Sequence, residues 1–529
     1  MTQTLVPPAT PPIGPVQPTE PTGPAGRAPR QAARTALIVF GAVLASAVAG
    51  ALAGGFSAVA AYGFVGLVFA LLLFTVAAVT PVFATYAYLC TLPLIAGIDR
   101  DTLLPLVRPN EALLVLLMAG ACFGAYLRLV AGERIRPRFL PAVDVPLAVF
   151  LLLATVWPLA SVTLRGRMPD VDELAAVLPM IKLVGIYFLV RYTVTNERRA
   201  LVTVRCIVWP GAAVALIAVL QTLKFQPVLL LLQAFWNGGG ADSTDQLSER
   251  GSATLGSPIA AGDVIIISLI LVLCCGARGL LNGKERLGLA LVLGAGTLAS
   301  GQYSTWIAAA VAAVLLARRF PELRRQARRF APLAGVAVVV GAPALIGRLS
   351  SFGVEGLPVP ESWLGRYDNL TNLYLPHFNW ITTLIGVSPN TVLQAPETWR
   401  SVVYLESGIL YFLWIGGIPL LAAFIWLSVR VLRTIRPALW LPGPLGACIS
   451  CLDVVWRFLL ILTVIDPHLQ LRGTGDLIFT LLGVTATGLL AREDSRRATP
   501  RPPFARLPPR DLTGLIPAQR KPVSRPLPR

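Results

Sequence analysis

Apolar residues in this chain come in long runs rather than alternating with polar ones. Almost uncharged stretches recur near 36–54, 58–77, 79–97, 111–130, 143–163, 175–192, 201–222, 259–277, 285–300, 303–318, 331–347, 406–427, 444–465 and 476–491. Most have the length of a helix crossing a hydrocarbon layer of about 30 Å. The pattern predicts an all-α polytopic membrane protein with about 14 transmembrane helices. The range is about 12 to 14, because the second and third segments run together and the pair around Ser300 is short.

The polar breaks give this pattern a direction. With the amino terminus inside, the inner connections collect Arg128, Arg134, Arg136 and Arg138, then Arg198 and Arg199, then Arg278, Lys284 and Arg286. The basic run Arg318 to Arg329 and the group Arg430, Arg433 and Arg436 fall inside as well. Such a bias places both termini on the cytoplasmic side of the membrane. Two outer connections, 223–258 and 348–405, are long, and long loops in compact proteins are usually functional or disordered. The second contains Trp363, Tyr367, Tyr374, Phe378, Trp380 and Trp399, and it predicts amphipathic helices lying on the outer membrane face over a cavity.

Composition agrees with the runs: 55% of the 529 residues are hydrophobic and 14% are charged, which excludes an ordinary soluble domain. The formal charge of +18 would suggest nucleic acid in a soluble protein, but half of it lies in two Pro-rich tails, residues 1–35 and 492–529. These are expected to be disordered and to lie against anionic membrane lipids, with no nucleic-acid partner called for. Between them, residues 36–491 form the transmembrane domain. Seven scattered Cys and two His suggest neither a disulfide scaffold nor a metal or haem site, so no cofactor is expected.

Candidate chemistry concentrates in the two outer loops. The first ends "SERGSATLGSPIAAGD", bringing Arg250 near a helix that starts at Ser257–Pro258, with Asp263 in its opening turns. A guanidinium beside free helix-start N–H groups suits phosphate oxygens, whereas a snorkelling interfacial arginine accounts for the same residue equally well. The second loop supplies Arg348, Arg366, Asp368 and His377, and Glu406 opens the next span. Arg250, Arg348 and Arg366 are candidate phosphate clamps, and Glu406, His377 and Asp368 are candidate proton acceptors. Each also has a structural reading, such as a loop histidine held by scaffolding or a Glu406 locked in an ion pair. Among the membrane charges, Asp453 and Arg457 stand four apart and are expected to pair. Asp466, His468, Arg472 and Asp476 gather at the last outer turn.

Three stretches in order, "RGSATLGSPIAAG", "LASGQYSTWIAAAVAAVLLA" and "RYDNLTNLYLPHFNWITTLIGVSPN" followed by "YLESGILYFLWIGG", resemble the O-antigen ligase and polysaccharide polymerase superfamily over about residues 200–430. The resemblance implies a metal-independent inverting glycosyltransferase for cell-envelope or exopolysaccharide assembly. It would move a glycan from an undecaprenyl-diphosphate carrier to an acceptor sugar outside the cytoplasmic membrane, with polysaccharide assembly proteins as possible partners. By position Arg250 and Arg366 match the family's arginines. Where ligases place His before the span following the large loop, this chain reads "RSVVYLESG" and offers Glu406; near Ser300 it lacks the family's arginine. Both departures lean away from a lipid A-core ligase and toward a capsule, exopolysaccharide or teichoic-type polymer enzyme, or a divergent member that has lost activity. A secondary transporter or lipid-linked oligosaccharide flippase, and a noncatalytic scaffold of an envelope assembly complex, are the alternatives.

Overall fold

The computed structural model describes residues 58–98, 107–133, 138–236, 243–325, 328, 361–395 and 401–498. The predicted spans at 36–54 and 331–347, the tail 1–35 and Arg348 lie outside them. The described chain is predominantly helical. Its helices are α1 (Ala58–Val79), α2 (Pro81–Ile95), α3 (Pro109–Val130), α4 (Pro141–Leu164), α5 (Val171–Thr193), α6 (Glu197–Thr222), α7 (Gln226–Phe235), α8 (Thr244–Ser248) and α9 (Pro258–Gly276). There follow α10 (Gly283–Ala299), α11 (Tyr303–Arg319), α12 (Glu361–Asp368), α13 (Trp380–Ile385), α14 (Gly408–Ile435), α15 (Gly443–Leu462) and α16 (Thr474–Ala498). Eight of them, α3 to α6, α9 and α14 to α16, are long and apolar enough to cross a membrane, while Gly63–Val79 and Pro81–Ile95 are shorter apolar helices.

Local sequence explains where these helices start. Pro81, Pro109, Pro141 and Pro258 each stand at a helix start, where the missing N–H has no partner to lose. Asp170 caps α5 by accepting from the Glu173 N–H at 2.7 Å, and the Glu173 side chain accepts from the Asp170 N–H. α16 runs on to Ala498, so the chain just past 491 is helix, not the disordered tail predicted there.

The most enclosed helices are α9, α15 and α16, and the others surround them. Small residues set the close approaches: a Cβ on Gly211 of α6 would lie 2.2 Å from the Ser268 hydroxyl of α9, and one on Gly262 would lie 2.0 Å from that of Thr305. Two ion pairs among the described residues are closed by tyrosine hydroxyls. Arg191 binds Asp144 at 2.6 Å with Tyr187 donating to the same carboxylate, and Lys182 meets Asp476 at 3.0 Å, where Tyr88 also donates.

Both long loops sit at one end of the bundle, the loop face; the other end is the basic face. The first loop contains α7 and α8, and the second contains α12, a π turn at Asn369–Tyr374, and α13. It also contains an antiparallel hairpin, β1 (Val392–Ala395) against β2 (Ser401–Tyr404), where only helices were expected. The loop is seated on a kink in α14. Gly417 leaves helical geometry at φ 66°, which frees the Trp414 carbonyl to accept from Val387 and Ser388 at 2.6 and 3.2 Å, and Pro419 follows. Gly386 (φ 95°) packs against this kink, where a Cβ would lie 2.4 Å from the Ile415 carbonyl oxygen.

Candidate functional site

The second loop delivers Arg366 from the last turn of α12 to two carboxylates. Its Nε lies 2.8 Å from Glu406 Oε2, and Nη2 lies 3.3 Å from Asp466 Oδ1. Glu406 lies just ahead of α14, and Asp466 lies in the turn after α15. These two ends are pinned together: Ile409 N–H donates to the Thr463 carbonyl at 3.1 Å, and Gly408 leaves room for the Thr463 and Asp466 carbonyls. The Arg366 and Glu406 side chains keep 25% and 28% of their surface exposed, while Asp466 keeps 5%. The arginine and Glu406 therefore face an opening, with Asp466 behind them.

One residue past Pro467 the turn enters the protein. His468 Nδ1 lies 2.7 Å from Asp263 Oδ2 in α9, and the Thr474 hydroxyl donates to the same oxygen at 3.1 Å. His468 and Asp263 are both fully buried. Burial alone would push the His468 pKa down, but Asp263, through its charge and hydrogen bond, and Asp466, through its charge, together hold it above the usual imidazole value, while Arg366 opposes them. Asp263 Oδ1 and His468 Nε2 are buried without a hydrogen-bond partner among the described residues. Continuing along α16, Asp476 reaches Lys182, the twelfth residue of α5 and hence mid-helix. Polar contacts thus run from the Arg366 cluster through His468 and Asp263 to Lys182 beside the start of α16.

The remaining sequence candidates take other positions. Arg250 is fixed through its backbone: its carbonyl accepts from Gln221 Nε2 at 3.1 Å, and the next residue, Gly251, donates to the Ala299 carbonyl at 2.9 Å. Its aliphatic stem packs by Gly301, at the turn between α10 and α11. This ties Arg250 to the ends of α6 and α10, at the loop face. His377 packs its ring 5.5 Å from that of Trp414 and shares a hydrogen bond with the Leu373 carbonyl at 2.9 Å, so its described contacts are those of loop scaffolding. Asp368 is exposed at the end of α12. Among the described residues no group of three or more His, Cys, Asp and Glu is arranged to hold a metal ion.

No protein-family model matches this chain, and no curated protein or solved structure matches it. The likeness to the O-antigen ligase superfamily accordingly rests on motif residues alone. Sequence reasoning named Glu406 and Arg366 individually and grouped Asp466 with His468. It missed that Asp466 shares Arg366 with Glu406 and that His468 pairs with Asp263. Partners 205 positions apart leave no local spacing to read; the available signal was that a carboxylate inside an apolar helix needs a cation or donor.

Proposed function

We propose that this protein is a polysaccharide polymerase or O-antigen ligase-like glycosyltransferase of the bacterial cytoplasmic membrane. About 14 spans would place both termini in the cytoplasm and the loop face outside. There it would transfer a glycan from undecaprenyl diphosphate to an acceptor sugar. The observation that carries this reading is the part-exposed Arg366–Glu406 pair at 2.8 Å, a cation and a base side by side on the face that holds the long loops.

In this mechanism the donor diphosphate competes with Glu406 for Arg366, and Arg250 supplies further positive charge. The freed Glu406 carboxylate takes the proton of the acceptor hydroxyl while that oxygen bonds to the anomeric carbon. The old anomeric C–O bond breaks, and its electron pair leaves on the diphosphate, stabilised by the guanidinium. Asp466 keeps Arg366 aimed, since it holds the far edge of the fork.

Reconstituted protein supplied with undecaprenyl-diphosphate oligosaccharide and acceptor tests this. Glu406→Gln is expected to lower kcat by about 10²–10⁴ with donor binding retained, and Arg366→Ala to lower both. Glycan transfer at wild-type rate by both variants would refute the assignment. The buried pair of Lys182, midway along α5, and Asp476, in the first turn of α16, favours a second reading, a proton-coupled lipid-linked oligosaccharide transporter. In the same vesicles, leaflet exchange without new glycosidic bonds is its signature.

A further inference from the structure

A second charge cluster lies away from the loop-face site, at the seam of α11 and α15. Asp453 is the eleventh of the twenty residues of α15, a helix about as long as the hydrocarbon layer is thick, so its carboxylate lies near the membrane centre. Two guanidiniums share it. Arg319, the last residue of α11, reaches Oδ2 at 2.6 Å, while Arg457 places Nε and Nη2 at 3.1 and 3.0 Å from Oδ1. The cluster therefore carries one positive charge more than it neutralises.

The bland account of a membrane arginine is snorkelling to the nearest headgroups. Arg457 does the opposite. It lies about 7.5 Å below the loop-face end of α15, yet its guanidinium turns one helical turn deeper to reach Asp453. It nevertheless remains 43% exposed, whereas Asp453 is 1% exposed and Arg319 15%. Along the same side of the helix, Ile461 and, just past its end, Val464 are exposed apolar residues. The opening that reaches Arg457 is thus apolar at its rim and cationic at its base. A free aqueous anion would have to shed its hydration to enter. An amphiphile entering sideways from the bilayer would bury its apolar body against Ile461 and Val464 and bring its anion to the guanidinium.

We propose that Arg457, backed by Arg319 and Asp453, is a lateral binding site for the phosphate of a membrane lipid. One phosphate monoanion or diester balances the unneutralised charge, and the guanidinium edge not engaged by Asp453 presents parallel N–H donors to its oxygens. This assignment is independent of the glycosyltransferase reading, because it uses none of the loop-face residues.

Lipid retention by the purified full-length protein in nanodiscs tests it. One arm contains phosphatidylglycerol in phosphatidylcholine, the other undecaprenyl monophosphate in phosphatidylcholine, and bound lipid is counted by native mass spectrometry after extraction. Arg457→Met leaves Arg319 and Asp453 as a neutral pair, so the fold is expected to persist, as checked by the thermal midpoint. It is expected to lose retention of at least one lipid about tenfold, with Arg457→Lys intermediate. Loss confined to one arm identifies the source of the phosphate. Equal retention by wild type and Arg457→Met in both arms would overturn the proposal. So would a loss in which Arg457→Lys is as deficient as Arg457→Met while both remain folded, because a charge-driven site keeps part of its affinity with lysine.

Discussion

Replacing Asp263 by Asn removes the counter-charge of a fully buried histidine while keeping its size and one acceptor oxygen. The structure sets the magnitude: both side chains are inaccessible, their contact is 2.7 Å, and Thr474 supplies the only other donor to that carboxylate among the described residues. Breaking such a pair by removing one member costs about 3–5 kcal/mol. The pH dependence follows from the raised His468 pKa, which Asp263 and Asp466 sustain against burial and against Arg366. A group whose folded pKa exceeds its unfolded value of about 6.5 stabilises the fold fully below that value and loses the contribution as pH rises through the folded pKa. In Asp263→Asn burial dominates and favours neutral His468. The stability gap between wild type and variant is therefore expected to be wide near about pH 5 and to narrow toward about pH 9. Denaturant unfolding in mixed micelles across that range, with His468→Gln and the double variant completing a cycle, measures it. A gap that stays constant with pH, or a cycle showing no coupling, would refute the reasoning.

Other perturbations follow from particular contacts. Arg191→Met strands the buried Asp144 carboxylate and is expected to destabilise by about 3–5 kcal/mol, whereas removing both partners as Arg191→Met with Asp144→Leu recovers most of it; the same unfolding assay separates the two. Gly211→Ala pushes a methyl group into Ser268 and is expected to cost about 1–3 kcal/mol, relieved by Ser268→Gly, so a double variant no better than the single would exclude this contact as the cause. Gly386→Ala places a Cβ against the Ile415 carbonyl at a positive φ; it is expected to loosen the second loop, seen as faster proteolysis there with the helical bundle still protected.

Most of the helical framework was legible because bilayer thickness imposes a length and an apolarity that survive any tertiary arrangement. Twelve of the predicted segments fall on described helices, from α1 to α6, α9 to α11 and α14 to α16, though only eight of those described helices reach spanning length and hydropathy. The hairpin β1–β2 was not legible, since four-residue strands with a Val-rich pattern look no different from an apolar loop. The Asp453–Arg457 pair was readable from its spacing of four, but Arg319 arrives from another helix and leaves no periodic trace. His468 shows the same limit: its neighbours in sequence announce a polar turn, and only folding brings α9 beneath it.

The interior charge clusters sort by two properties that spacing does not contain, balance and access. Asp144 with Arg191, and Lys182 with Asp476, are one anion against one cation, closed off by tyrosine hydroxyls, and each is complete without a ligand. The Arg366 and Arg457 clusters are neither balanced nor closed. Around Arg366 the two carboxylates outnumber the guanidinium, and around Arg457 two guanidiniums share one carboxylate. Each keeps a part-exposed member turned toward its surroundings. A low-dielectric interior penalises unbalanced charge steeply, so both proposals have the missing charge arrive from outside. For Arg457 that charge is a single anion. At Arg366, in the proposed mechanism, it is a proton taken up by Glu406 once a diphosphate has claimed the arginine. The two clusters thus ask for different partners at different depths, and a variant that disables one is expected to leave the binding properties of the other intact.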